Sequence, residues 1–115
     1  QEEKLKEQLA QKVREEFDLQ IIRSEKHYQK GQQFLREKKY PEALEEMDRA
    51  LTLTPKNPKI LKIRDQILYE SDIAEIKRRT NDAITKLDSG DVESAKKEFQ
   101  NILTIIPKKS TQIAE

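Results

Sequence analysis

Glycine and proline are the main punctuation of a helical chain, and this one has only two glycines and four prolines in 115 residues. All but Gly31 fall in four short clusters: Tyr40-Pro41, Thr54-Pro55-Lys56-Asn57-Pro58, Ser89-Gly90-Asp91 and Pro107-Lys108-Lys109-Ser110. Pro41 and Pro58 suit the first turn of a helix, where a missing N–H costs nothing. Asn57 and Asp91 suit N-caps, since their side-chain oxygens accept from free backbone N–H groups. Pro55 and Pro107 each close off a helix. Between the clusters apolar residues recur at helical spacing: Ala43, Met47, Ala50 and Leu51; Ile60, Ile63, Ile67, Ala74, Ala83, Ile84 and Leu87; Val92, Ala95, Phe99, Ile102, Leu103 and Ile106. No segment alternates like a strand. The spacing predicts an all-α chain with helices over about 3–38, 41–53, 58–88 and 91–105, and a new start near 111. Asp72 with Glu75 makes a capping-box pattern that would break the third helix near residue 71. We expect that helix to be continuous, with the pair as ordinary solvated residues.

Composition narrows the function. Charged residues make up 39% of the chain and apolar residues 34%, so any core is thin and built from helix stripes. The balance of 23 basic and 22 acidic residues lacks the basic excess of a nucleic-acid module, and the periodicity argues against disorder. The absence of cysteine removes disulfides, thiol catalysis and zinc–thiolate sites. One histidine argues against a metal site built on His clusters. No apolar run approaches the ~20 residues that span a bilayer. Gly31 and Gly90 stand alone, so no phosphate-binding loop is present. Acidic pairs such as Glu45-Glu46 lie on charged helix faces, with no pocket in view to shift their pKa values for acid–base work. The short basic runs Lys77-Arg78-Arg79 and Lys108-Lys109, with Lys56, Lys59 and Lys62, are interleaved with acids and read as solvated faces. His27 reads as a packing residue at a helix contact. The expectation is a protein without enzymatic activity, cofactor, metal, nucleic-acid partner or membrane insertion.

The chain also repeats itself. Shifted by 52 residues, Leu35 falls on Leu87, Ala43 on Ala95, Glu46 on Glu98, Met47 on Phe99, Leu51 on Leu103, Thr52 on Thr104 and Pro55 on Pro107. Gly31 falls on Ala83. Two antiparallel helices approach closely only where side chains are small. Gly31 with Ala43, and Ala83 with Ala95, supply that contact twice, in a solenoid-type repeat of helix pairs or in a plain helical hairpin bundle. On these residues the chain resembles the tetratricopeptide repeat family. One unit would run over 24–57, with Gly31, Ala43, Ala50 and Pro55 at the family's small and proline positions and Phe34 and Tyr40 at aromatic ones. The other would run over 76–109, with Ala83, Gly90, Ala95, Phe99 and Pro107 matching. His27 stands where the family usually has Trp, Met47 where it has an aromatic, and Ile102 where it has a small residue.

The resemblance implies a right-handed α-solenoid fragment of long-short-long-short helices. The spacing of 52 exceeds the family's ~34-residue repeat by about 18, which is five whole helical turns. Residues 58–75 would then extend the front of the second unit's first helix, as residues 1–23 extend the first unit's, and 110–115 would begin a further helix over the open face. First helices of adjacent repeats lie side by side in the family. We therefore expect the stripe Leu5, Leu9, Val13, Phe17 and Ile21 to pack on Ile60, Ile63, Ile67 and Leu68 as a stalk. That stripe steps by four residues, whereas a coiled-coil seam alternates three and four, so it suits a helix wrapped by a neighbour better than a long two-stranded coil.

The family's groove, formed by the first helices, implies a binding surface for a partner peptide or helix. By position it would comprise Glu25, Tyr28, Gln32, Leu35 and Arg36 from the first unit, and Lys77, Thr80, Ile84, Leu87 and Asp88 from the second. The expected function is a protein-binding or scaffolding module within a larger assembly. The other reading is a structural subunit that forms a homo-oligomer through the N-terminal helix and the repeat faces, and a third is an appendage that positions an enzyme. The start at Gln1 suggests a piece of a longer protein. The lysine-rich helices resemble modules of bacterial secretion, pilus or flagellar machinery in the envelope or periplasm.

Overall fold

The computed structural model describes residues 1–106, which form four helices in chain order: α1 (Glu2–Arg36), α2 (Tyr40–Leu53), α3 (Pro58–Asp88) and α4 (Val92–Leu103). α3 is unbroken across Asp72 and Glu75. The expected caps form: Asn57 Oδ1 accepts from the Lys59 N–H at 3.1 Å, and Asp91 Oδ1 from the Ser94 N–H at 3.2 Å. The expected helix start near 111 and Pro107 lie outside the described residues.

Two compact units divide the chain, Gln1–Ile67 and the segment from Leu68 onward. In the first, α2 lies antiparallel to α1. Ser24 Oγ donates to the Ala50 carbonyl at 3.0 Å, His27 meets Glu46, and Gly31 lies against Ala43 and Met47. The turn at 54–57 then sends α3 back, with Arg64 paired to Asp48 at 2.7 Å. The core is Tyr28, Ala43, Met47, Ala50, Ile60 and Ile67, with Phe34, Leu35, Tyr40, Leu44, Leu51 and Ile63 around it. In the second unit the buried apolar residues include Ala83 of α3 and Ala95 and Ile102 of α4.

The α1–α2 and α3–α4 turns share one geometry. After α1, Lys38 takes a φ of 60°; its N–H donates to the Leu35 carbonyl at 3.0 Å, and the Lys39 N–H to the Phe34 carbonyl at 2.9 Å. After α3, Gly90 takes a φ of 91°, with Gly90 N–H bonded to Leu87 at 3.0 Å and Asp91 N–H to Lys86 at 2.9 Å. This is the Schellman arrangement, which closes a helix through one left-handed residue. Lys38 and Gly90 are 52 positions apart, so the offset seen in the sequence recurs in the backbone.

The expected stalk does not form. Leu5, Leu9, Val13, Phe17 and Ile21 are between 44% and 67% exposed. Ile60 and Ile67 are buried, but in the cluster with Tyr28 and Met47. The reason is axial level. α2, at 14 residues, returns the chain about 21 Å along α1, which brings Thr54 beside Ser24, their hydroxyls 2.6 Å apart. A four-residue turn follows, and α3 starts level with Glu25, where Lys59 reaches its carboxylate at 3.0 Å. Residues 58–67 therefore lie beside the C-terminal half of α1, and no segment of this unit returns far enough to cover the first ~20 residues, about 30 Å of helix.

Candidate protein-binding surfaces

Polar groups pin the first unit at three levels. Ser24, 2% exposed, donates to the Ala50 carbonyl and accepts from the Thr54 hydroxyl at 2.6 Å, whose oxygen lies 3.2 Å from the same carbonyl. One turn on, His27 Nδ1 lies 2.6 Å from Glu46 Oε2, and the other carboxylate oxygen accepts from Arg49 at 3.0 Å. Glu46 is thus a buried carboxylate with two partners, the condition under which burial of a charge is tolerated. Lys59 makes the third link. Its ammonium sits 4.4 Å above the centre of the Tyr28 ring while it bonds Glu25, a cation–π contact with an ion pair on the same head group.

The groove residues expected from the sequence are accordingly unequal. In the first unit Tyr28 is 7% exposed and sits in the core, its hydroxyl accepting from Gln32 at 3.0 Å. Leu35 is half-buried against the same core, Glu25 is paired with Lys59, and Arg36 is exposed and bonded to Gln33. In the second unit Lys77, Ile84, Leu87 and Asp88 are exposed and Thr80 is half-buried. The apolar members open to a partner are therefore Ile84 and Leu87, at 44% and 47% exposure. Lys59, which meets Glu25 and Tyr28, is the residue that sequence reasoning missed. Glu46 was missed as a buried residue, although its place between Ala43, Met47 and Ala50 on one helix face marked it.

Farther along α3, Glu75 accepts from Arg78 at 2.6 Å and from Arg79 at 2.8 Å. These hydrogen bonds, that of Arg78 first, hold its carboxyl at about 2, well below its ordinary 4.5. The same bond raises the Arg78 guanidinium above its usual range. Asp91 is held low by hydrogen bonds from the side chain and backbone of Ser94. Among the described residues no three metal-ligating side chains converge and no helix is long and apolar enough to cross a membrane.

The largest uncovered apolar feature of the first unit is the ridge Leu5, Leu9, Val13, Phe17 and Ile21; Leu19 and Ile22 are also exposed, on the side of α1 away from Val13. A shallow concavity runs from Leu5 and Leu9 round the helix, past Gln8 and Lys12, to Gln11 and Glu15 on the side away from Val13; all six lie on α1, so it is a groove with a single wall. No protein-family model, curated protein or solved structure matches the chain.

Proposed function

We propose that this protein is a non-catalytic interaction module that docks another protein on the apolar ridge of α1. The observation that carries the reading is the exposure of Leu5, Leu9, Val13, Phe17 and Ile21 along one helix face. Isolated apolar residues on a surface are ordinary, but a contiguous apolar run is a mark of an interaction site. A helix that is covered on no side is also held only by its own propensity, which is marginal in water. A partner on the ridge would supply the packing that α2 and α3 supply farther along.

The two helix pairs are read as units of a tetratricopeptide-like, right-handed solenoid. What supports this is the shared turn geometry at Lys38 and Gly90 and the small residues Gly31, Ala43, Ala83 and Ala95 buried at matching positions. A second docking surface on α3 is favoured by the exposure of Ile84 and Leu87 beside Lys77 and Asp88. It would take a peptide or helix through apolar contact, with the charges setting orientation.

The test is a photoreactive side chain at Val13 in the protein in its native cell. A discrete protein adduct is expected from Val13 and none from Gln11, which lies on the opposite side of α1. No adduct from Val13, or equal labelling from both positions, would overturn the reading.

A further inference from the structure

The occupant of the α1 ridge can be argued from the charges that flank it, on the reading that the ridge is an interaction surface. Leu5, Leu9, Val13, Phe17 and Ile21 step by four residues, so they form one i±4n ridge, inclined ~26° to the helix axis. Two such ridges mesh across obliquely crossed helices rather than along a parallel seam. Val13 is the middle of the five. At about 100° per residue, Lys12 and Glu16 fall on one flank of the face and Arg14 on the other.

Those flanks decide direction. In a parallel pair opposite flanks meet at equal height, which sets Arg14 between Lys12 and Glu16 of the second copy, an adverse and a favourable contact that cancel, twice. In an antiparallel pair about a two-fold axis near Val13, like flanks meet at mirrored heights. Lys12 then faces Glu16 of the second copy, twice, and Leu9 faces Phe17. The adverse pairing is Arg14 with its own copy, at the outer edge. Half-exposed side chains of this size offer on the order of 100 Å² each, so the ridge and its flanking stems approach the ~800 Å² per partner of a standard interface from below. A lipid-surface helix would instead carry a Lys/Arg-rich polar face, whereas residues 1–23 hold five basic and six acidic side chains.

We propose that a second copy of this chain covers the ridge, crossing antiparallel with the two-fold axis at Val13. The full chain, 13.6 kDa, is followed by light scattering over a concentration series. The mass should rise toward that of a dimer, and Val13→Glu should abolish the rise. Lys12→Glu should weaken assembly about tenfold, and adding Glu16→Lys to it should restore assembly. The chain has no cysteine, so single-cysteine variants report the register. A mixture of Leu9→Cys and Phe17→Cys chains should cross-link between the two variants, and neither with itself. Self-linking of Leu9→Cys, or failure of the double charge swap to restore assembly, would overturn the arrangement. A monomeric mass at every concentration would overturn the second copy as occupant. If the Val13 photo-adduct to another protein persisted in that case, the interaction reading would stand and this inference alone would fall. A monomer that binds vesicles of anionic lipid through the ridge, with no protein adduct, would sink both.

Discussion

Gly31 is the residue on which the first helix pair closes. A Cβ there would lie 2.6 Å from Met47 Cε, 3.3 Å from the Ala43 carbonyl oxygen and 3.4 Å from Glu46 Cβ. The Met47 methyl is the end of a flexible chain, but Met47 is fully buried and the Ala43 carbonyl belongs to the α2 backbone. Alanine in a helix interior is worth up to about 1 kcal/mol over glycine, while overpacking costs about 1–3 kcal/mol. Gly31→Ala should therefore lower stability in urea unfolding by a net of about 1 kcal/mol, and a stabilised variant would mean that Met47 repacks freely. Lys38 presents the opposite case. Its φ of 60° is a conformation that costs a non-glycine residue about 1 kcal/mol or more. The equivalent position, 52 residues on, is Gly90. Lys38→Gly should stabilise the protein by roughly 0.5–1 kcal/mol in the same assay, with the greater freedom of glycine in the unfolded chain offsetting part of the relief.

At the scale of elements, the helices and their ends were legible because they rest on local chemistry. Asn57, Asp91 and Pro58 act within one turn of where they stand, and the 3.6-residue period marks a helix face without reference to anything distant. The axial level of α3 was not legible. Eighteen inserted residues preserve angle, and from angle alone the two long extensions looked like partners. Which residues lie side by side depends instead on how far α2 brings the chain back, and that is set by its 14 residues and by the short turn after it. The same limit explains Tyr28. Its place in the repeat pattern suggested a groove, but Ile60 and Lys59, arriving from the start of α3, enclose it. α3 also carries the protein's clearest pH signature. Glu75 titrates at about 2 in the folded chain against an ordinary 4.5. A depressed folded value means that the contribution is complete above about 4.5 and is lost as pH falls toward about 2. Its side chain is 40% exposed, so the contribution is screened and small. Thermal melts of the parent should fall more steeply over that window than those of Glu75→Gln, and the two should run parallel above it. Equal slopes in the acid window would mean that the Arg78 and Arg79 bonds do not persist in solution.

At the scale of the whole molecule, the uneven cover along α1 has a thermodynamic consequence. The core of the first unit draws its side chains from Tyr28 onward, and Ser24 is the first residue of α1 that is buried. Before it only Gln20 is half-buried, and every other side chain is exposed. Burying a Leu, Val, Ile or Phe contributes about 1.5–3 kcal/mol, so a ridge packed within the chain would make its removal ruinous, and a ridge packed on nothing would make it nearly neutral. Removal of residues 1–19 should lower the helix content and leave stability within about 1 kcal/mol, a shift of no more than roughly 4–8 °C in Tm for a domain of this size. Met47→Ala in the intact chain, which empties a fully buried site, should cost about 2–5 kcal/mol. Both measurements belong at concentrations where the chain is monomeric, because association through the ridge would add a stability that grows with concentration. If the truncation cost as much as Met47→Ala under those conditions, the ridge would be buried by its own chain, and no partner would be needed to cover it.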